Sequence, residues 1–449
     1  PVTKNVTLSA NEKKSLEVQM YLSKTEEKSD DSYVNNKPYK NRDETKNQKF
    51  NFMKQKTITV IGAGMVGVCC ALYLQNENYN VTLIDKDKPG EAASSGNLGQ
   101  FGIASCIPQS MPGLIKKLPR LLFDSSSPLK LKSNHFFKVL PWFYKFLIFS
   151  QLSHVEKITK ERQSLLSKVH EGIDPLIKQA NAENLVNNTD LLFIFENKKT
   201  FQNASYAFDL RRRNGVELEL LNANDLRQIE PMLTPNLYKG YRVPNFTHTY
   251  NPLMLVRSLF ELFKKNGGKF IQESVKGFEI GSKKVQKIFL DNDQLIVDTI
   301  ILSAGVWSRN LAKELGSVVP LEAERGYHLM FNDTAMPLKS AIMSVDRYLS
   351  MTPMLNGIRA GGLAEFASID ENPDMNKTKI IKNHAKALFP KLHSNNITEW
   401  MGHRPSHPDS KPVIDRSPIH SNVYFAFGHD HIGLTLGGIT GKLISELVA

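Results

Sequence analysis

The sequence is short of several things, and each shortage excludes a class of protein. Three cysteines in 449 residues, Cys69, Cys70 and Cys106, cannot build a disulfide framework, and none stands in a C-x-x-C pair. A reducing cytoplasm suits such a chain. No uninterrupted apolar run reaches about 18 residues, so no membrane-spanning helix is expected. Internal repeats are missing, which removes solenoids and propellers. Residues 1–52 lack the apolar core of a secretory signal, and their many acids argue against a transit peptide. Acids are outnumbered, 45 against 57 lysines and arginines, for a net charge of +12. That excess suits an anionic partner, whether a membrane surface, a nucleic acid or an acidic metabolite, or it serves solubility alone.

What is present is a globular composition, 41% hydrophobic and 23% charged, in a chain long enough for two intimately packed domains. Residues 1–52 are polar and aperiodic and read as a disordered tail. Immediately after it comes the stretch that organises the rest. Thr57-Ile58-Thr59-Val60-Ile61 is a β-branched run expected to form a buried parallel strand. It leads into Gly62-Ala63-Gly64-Met65-Val66-Gly67, with the G-x-G-x-x-G spacing of a dinucleotide-binding turn. Gly62 permits the sharp turn, Gly64 lets the backbone approach a pyrophosphate, and Gly67 lets the following helix, Met65 to about Asn76, pack on the strand. That helix aims its free N–H groups at phosphates. A second strand over 79–84 ends on Asp85, 18 residues after Gly67, where an acid can accept hydrogen bonds from a ribose. Strand, glycines, helix and acid together predict an α/β protein that holds FAD or NAD.

Further along, Glu91–Gly102 is rich in small hydroxyl and amide residues, fit either for lying against a planar ligand or for a plain linker. Residues 111–149 interleave Lys116, Lys117, Arg120, Lys130, Lys132, Lys138 and Lys145 with eight aromatics and one acid, Asp124. Such a pattern suits a helix in a membrane interface, or a helix packing its aromatics inward. A helical pattern runs from about Ser153 to Ala182, followed by a strand at Leu191–Phe195 and a helix ending at Asn214-Gly215. Residues 251–266 form an amphipathic helix stopped by Gly267-Gly268; strands follow over 269–273, 275–280, 285–290, 294–297 and 298–303. The last of these ends on Ala304-Gly305-Val306-Trp307, a turn that brings backbone close to a ligand. Residues 320–398 look mostly β, with a helix near 377–389. Near the end, Val423–Phe427 leads through Gly428-His429-Asp430-His431-Ile432-Gly433-Leu434-Thr435 into a helix, a second strand–glycine–helix junction. His429 and His431 have no third ligand at a sensible spacing, so no metal is expected. Arg404, within Gly402-His403-Arg404-Pro405, either binds an anionic substrate or staples the loop through Asp409.

Taken together, the two glycine junctions, Ser94-Ser95-Gly96-Asn97-Leu98-Gly99-Gln100, Ser303–Ser308, Glu324-Arg325-Gly326-Tyr327-His328 and Gly402–Pro405 resemble the FAD-dependent amine oxidoreductases of the D-amino-acid oxidase superfamily. Within it they are most similar to the small subunits of bacterial D-amino-acid dehydrogenases. The resemblance implies a Rossmann-like FAD-binding domain (GR2-type) in three pieces, 53–110, 251–320 and 399–449. It implies an inserted α+β substrate domain, 111–250 and 321–398, built on a mixed antiparallel sheet. Gly62, Ala63, Gly64, Met65, Val66 and Gly67 would surround the pyrophosphate, with Asp85 and Lys86 at the adenosine ribose and Val275 at adenine. Ser94, Ser95, Asn97, Leu98, Ala304, Gly305 and Trp307 would line the rest of the cofactor, and Gly428, Gly433, Leu434 and Thr435 its pyrimidine edge. Arg404 would bind the substrate carboxylate, with Gln100, Tyr327 and His431 facing the substrate. The loop after the second strand has no histidine at the tethering place and no cysteine follows Cys106, so the FAD would be noncovalent.

The implied reaction is oxidative deamination of a D-amino acid by hydride transfer to flavin N5. Electrons would pass to a quinone, an electron-transfer chain or oxygen, with a peripheral membrane contact through 111–149 at the inner face of the cell membrane. Oxidation of a secondary or glycine-type amine is the alternative. A flavoenzyme for modified tRNA, or a nucleotide-binding module without turnover, ranks behind both; no nucleic-acid module is visible.

Overall fold

Ile58–Ile61 is buried, and the strand Thr57–Ile61 lies between two parallel neighbours, Asn80–Asp85 and Thr299–Leu302. A strand paired on both edges and covered on both faces needs the continuous apolar run seen in its sequence. The structure is a computed structural model and describes residues 56–113, 129–131, 135–334, 336 and 338–449. The expected tail, 1–52, lies outside the described residues, as do Lys116, Lys117, Arg120, Asp124 and Lys132.

Across the first sheet the order is Val413–Arg416, Val423–Phe427, Thr299–Leu302, Thr57–Ile61, Asn80–Asp85, Lys269–Gln272. Only the first pair is antiparallel. Helices Met65–Asn76, Pro252–Lys265 and Gly433–Val448 pack beside it. The helix at 252 starts as its sequence dictates, with the Asn251 side chain accepting from the Met254 N–H at 3.1 Å and proline in the first turn. The C-terminal helix approaches Met65–Asn76 so closely that a Cβ on Gly441 would stand 2.6 Å from the Cys69 carbonyl oxygen. A Cβ on Gly172, in the helix Val169–Gln179, would stand 2.2 Å from the Ile439 nitrogen. The helical pattern expected as one piece over 153–182 is two helices, Leu152–Leu166 and Val169–Gln179, the second carrying Gly172 onto the C-terminal helix.

The second sheet is mixed. Its order is Ile397–Ser406, Glu322–Asn332, Gly357–Phe366, Leu349–Met354, Ala341–Ser344, Val186–Phe195, Lys239–Thr249, Glu219–Asn222, with Leu129–Leu131 added beside Gly357–Phe366. Register sets Glu324 opposite Arg404 and Gly326 opposite Gly402. The expected domain cut at 399 therefore falls inside a strand of this sheet, and the change of sheet comes after Ser406. Likewise Val169–Gln179, assigned by sequence to the substrate part, packs on the C-terminal helix. Residues Gly277–Ile280, Val285–Phe289 and Gln294–Ile296 form the expected antiparallel meander.

The part of the basic–aromatic stretch from Phe136 to Phe149 is one helix, with aromatics on both its inner and its outer face. Trp142 and Phe146 are buried and stacked, centroids 4.9 Å apart, and the Trp142 indole N–H donates to the Ser406 carbonyl at 3.1 Å. Phe137 (79% exposed), Tyr144 (68%), Lys138 and Lys145 face outward. Among the described residues no helix is long and apolar enough to cross a membrane.

Candidate active site

Where the two sheets meet, a cavity of about 540 Å³ is lined from both glycine junctions and from the mixed sheet. Gly62 makes its turn at φ +109°, and a Cβ there would meet the Ser303 carbonyl oxygen at 2.5 Å, so side chains are excluded on two grounds. At Gly64 a Cβ would meet only the Ser94 hydroxyl, at 3.3 Å; its bare backbone faces the cavity. The helices beginning at Met65 and Gly433 both open here, and neither has an acid in its first turn or a cap from the side chain of the residue before it. Two acid-free helix N-termini on one cavity suit an anionic ligand.

The loop 94–102 is held in place from several sides. Ser94 Oγ accepts from the Met65 N–H at 3.1 Å. Arg359, half-buried beneath, donates to the carbonyls of Ser95 at 3.0 Å and Asn97 at 2.5 Å. Burial lowers this guanidinium to about 10, which still leaves it charged. Gln100 donates through Nε2 to Ser350 and Thr352 at 2.9 and 2.8 Å, and Thr435 Oγ1 accepts from the Gly102 N–H at 3.0 Å.

On the mixed-sheet side the wall is aromatic. His328 stacks on Trp400, centroids 4.9 Å apart, and its Nδ1–H donates to the Gly96 carbonyl at 2.9 Å. Burial drives His328 down to about 3, and His403 to about 4, so both imidazoles stay neutral. Tyr327 donates to Glu365 at 2.5 Å; burial first, then that carboxylate, push its phenol up. Arg404 is the cation this sheet brings to the cavity, and its Nη1 donates to buried Glu324 at 2.6 Å. It does not staple the loop through Asp409, which pairs with Lys411 at 3.6 Å.

Of the residues singled out in the sequence, Arg404, Tyr327, Gln100 and His431 all line the cavity. So do Gly62, Gly64, Met65, Val66, Asp85, Lys86, Ser94, Asn97, Leu98, Val275, Ala304, Gly305, Trp307, Gly433, Leu434 and Thr435. Four do not, each for a local reason. Ala63 is in the core and its N–H donates to Asp85 Oδ2 at 2.6 Å. Gly67 presses on the Gly62 carbonyl. Ser95 Oγ closes its own turn on the carbonyls of Glu91 and Ala92. Gly428 turns at φ +78° over the His407 ring. Asp85 itself accepts from two backbone N–H groups, Ala63 and Asp87, so it braces the glycine turn as well as lining the cavity. Lys86 lies over the Trp307 ring, 4.5 Å from its centroid. His429 is buried with Nε2 on Thr440 at 2.9 Å, while His431 faces Asp430 at 3.3 Å.

Trp400, His328 and Arg359 carry much of this geometry without having been singled out. His328 ends the stretch Glu324–His328 and Trp400 stands two residues before Gly402–Pro405, but which side of a strand faces the cavity is set by pairing. Arg359 left no signal, because its partners are backbone carbonyls distant in sequence.

The chain is similar to known proteins in both sequence and fold. The sequence matches the model of the FAD dependent oxidoreductase family, DAO, over residues 57–447. A D-amino-acid oxidase of Bradyrhizobium diazoefficiens is 32% identical over 399 residues, 87% of this chain and 94% of that protein. A D-amino acid dehydrogenase of Vibrio vulnificus is 26% identical over 399 residues, 87% and 95% of the two chains. The fold is that of the solved glycine oxidase from Geobacillus kaustophilus (TM-score 0.69, 16% identity, 88% of this chain and 95% of that one).

Proposed function

Since the chain belongs to the DAO family of FAD-dependent oxidoreductases, we propose that it deaminates D-amino acids oxidatively, with Arg404 as the carboxylate site. One observation carries the assignment: the cavity that receives both helix N-termini also receives Arg404 from the opposite sheet. The chemistry FAD supplies when bound is acceptance of a hydride, which converts the amine to an imine that water hydrolyses to a 2-oxo acid and ammonia.

The protein's part is holding and positioning. Gly62, Gly64, Met65 and Val66 would present backbone to the pyrophosphate, and Gly433, Leu434 and Thr435 would present theirs to the flavin edge; all seven line the cavity. Ser94, Asn97 and Leu98 would run along the cofactor, in a loop that Arg359 braces through the carbonyls of Ser95 and Asn97. Arg404 orients the substrate through its carboxylate, and orientation is most of what a hydride transfer asks of a protein. The neutral imidazoles of His328 and His403 add no cation, and a poorly solvated wall favours the free amine over ammonium.

A panel of D-amino acids, proline, hydroxyproline, sarcosine and glycine, offered anaerobically to the purified yellow protein, tests this. D-amino acids with a primary amine on a chiral α-carbon are expected to bleach the bound flavin fastest. Bleaching only by secondary amines or glycine would transfer the assignment to the reactions named for the L-proline dehydrogenase and the glycine oxidase of the same fold.

We also propose that electrons leave at a membrane surface, to a quinone or an electron-transfer chain. The support is the outward face of Phe136–Phe149, where exposed Phe137, Leu140 and Tyr144 stand among Lys138 and Lys145. Each lysine near an anionic surface contributes about 1 kcal/mol, which adds to the burial of Phe137, Leu140 and Tyr144 in the interface to give reversible attachment. Co-sedimentation with anionic vesicles at low salt is expected, weakened by Phe137→Ser with Tyr144→Ser. Protein that stays in the supernatant at low salt would remove the membrane from the scheme, and rapid reoxidation by oxygen would identify an oxidase.

A further inference from the structure

Arg404 meets the cavity with a carboxylate behind it. Its Nη1 donates to Glu324 Oε1 at 2.6 Å, from the adjacent strand, and Glu324 is 1% exposed. A Cβ on Gly326 would stand 2.4 Å from Arg404 Nη2, so this glycine lets the guanidinium lie flat on the sheet. The second Glu324 oxygen, Oε2, is 2.9 Å from Ser406 Oγ, and that hydroxyl is also 2.9 Å from Asp430 Oδ1. One hydroxyl has one hydrogen, so it can serve only one of the two carboxylates at a time.

Asp430 is better supplied. Gln109 Nε2 lies 2.9 and 2.8 Å from its two oxygens, and His431 Nδ1 stands 3.3 Å away. Burial pushes the Asp430 carboxyl up, but His431, Arg162 and Ser406 outweigh it and hold it well below the usual range. Among the described residues, by contrast, the side chain of Glu324 has no donor besides Arg404 and the shared hydroxyl. A buried carboxylate so placed directs its charge at Arg404.

We propose that Glu324 is a counter-ion that weakens the grip of Arg404 on carboxylate ligands, so that an anionic 2-oxo acid can leave. The inference rests on the reading of Arg404 as the carboxylate site. A guanidinium without a counter-charge, in a poorly solvated cavity, holds any carboxylate through both charge and paired N–H donors. Pairing with Glu324 leaves donors and orientation in place and removes most of the net charge. Glu324 is thus a positioning residue with an electrostatic purpose, and it selects for ligands that match the geometry of Arg404 rather than its charge alone.

Glu324→Gln isolates that purpose. The amide oxygen can still accept from Arg404, and the amide N–H can donate to Ser406, whose hydrogen is then free for Asp430. Only the charge is lost. Flavin-loaded wild type, Glu324→Gln, Glu324→Asp and Arg404→Ala would be titrated with benzoate, a carboxylate with no amine to oxidise, following the flavin spectrum. Glu324→Gln is expected to bind about tenfold tighter or more and to release benzoate more slowly; Glu324→Asp, which keeps the charge, should stay near wild type. Unchanged or weaker binding by Glu324→Gln would overturn the inference and leave Glu324 a structural support. Wild-type affinity in Arg404→Ala would instead locate the failure in the Arg404 reading. Should Glu324→Gln not load flavin, Ser406→Ala serves: it leaves Glu324 with Arg404 alone, so benzoate should bind more weakly, and equal or tighter binding would count against the counter-ion.

Discussion

Replacing Arg404 by alanine is expected to lower kcat/KM for a D-amino acid by roughly 30- to 1,000-fold, the equivalent of about 2–4 kcal/mol. The side chain is a quarter exposed and already paired with Glu324, which places the expectation nearer the lower end. Two effects must be separated in the measurement. Alanine removes the carboxylate handle, and it also leaves Glu324 buried without its cation, a situation that costs a fold about 3–5 kcal/mol. The double change Arg404→Ala with Glu324→Gln should therefore recover thermal stability and flavin content while recovering none of the catalysis. Arg404→Lys should recover part of it, since an ammonium cannot present a planar two-donor fork. An amine without a carboxylate should lose far less than an amino acid. Anaerobic flavin reduction, normalised to bound flavin, is the assay; equal reduction rates in wild type and Arg404→Ala would leave the residue only its ion pair.

The second large effect is expected at Gly64. Gly64→Val should give folded, soluble and colourless protein, because the added Cβ meets only Ser94 Oγ, at 3.3 Å, and the side chain enters a cavity-facing turn that the pyrophosphate needs. Gly67→Ala provides the contrast. Its Cβ would fall 1.7 Å from the Gly62 carbonyl oxygen, so strand and helix would have to separate and the protein itself should be destabilised. Thermal unfolding and extracted FAD distinguish the two: the first variant loses flavin before stability, the second loses both together. Flavin retained at wild-type level in Gly64→Val would remove the glycine turn from the cofactor site.

These two glycines show what sequence can and cannot deliver. The strand, the turn and the helix around them are contiguous, and their chemistry is local, so spacing alone predicted the junction at Gly62–Gly67 and its counterpart at Gly433. Which glycine faces a ligand and which faces a neighbour depends on atoms brought from elsewhere. The same holds for Arg404. Its anchor Glu324 is 80 residues away and becomes adjacent only through the register of two antiparallel strands. Between 216 and 250 the pattern gave little: Lys239–Thr249 is a long strand interrupted by Pro244 and dense in polar residues, many of them buried by the mixed sheet. Burial on that scale is a property of the assembled sheet, and periodicity in an isolated stretch does not announce it. The helix Phe136–Phe149 was ambiguous for a better reason, since it carries apolar residues on both its inner and outer faces.

The close seating of the C-terminal helix on Met65–Asn76 has a consequence in time. Gly67 leaves the ribosome 366 residues before Gly433 does, a delay of roughly 20–70 s at ordinary rates of translation. Throughout that interval the nascent chain owns half a cradle. The Met65 and Cys69 surface that will receive Gly437 and Gly441 is bare, and the strand Val423–Phe427, which flanks Thr299–Leu302, has not been made. Completion of the cofactor cradle therefore waits until residues 423–441 have been made, and filling it depends on the pool of free FAD met then. In an overproducing cell, where finished chains accumulate faster than vitamin is converted, the colourless fraction should grow with expression rate and shrink when riboflavin is supplied.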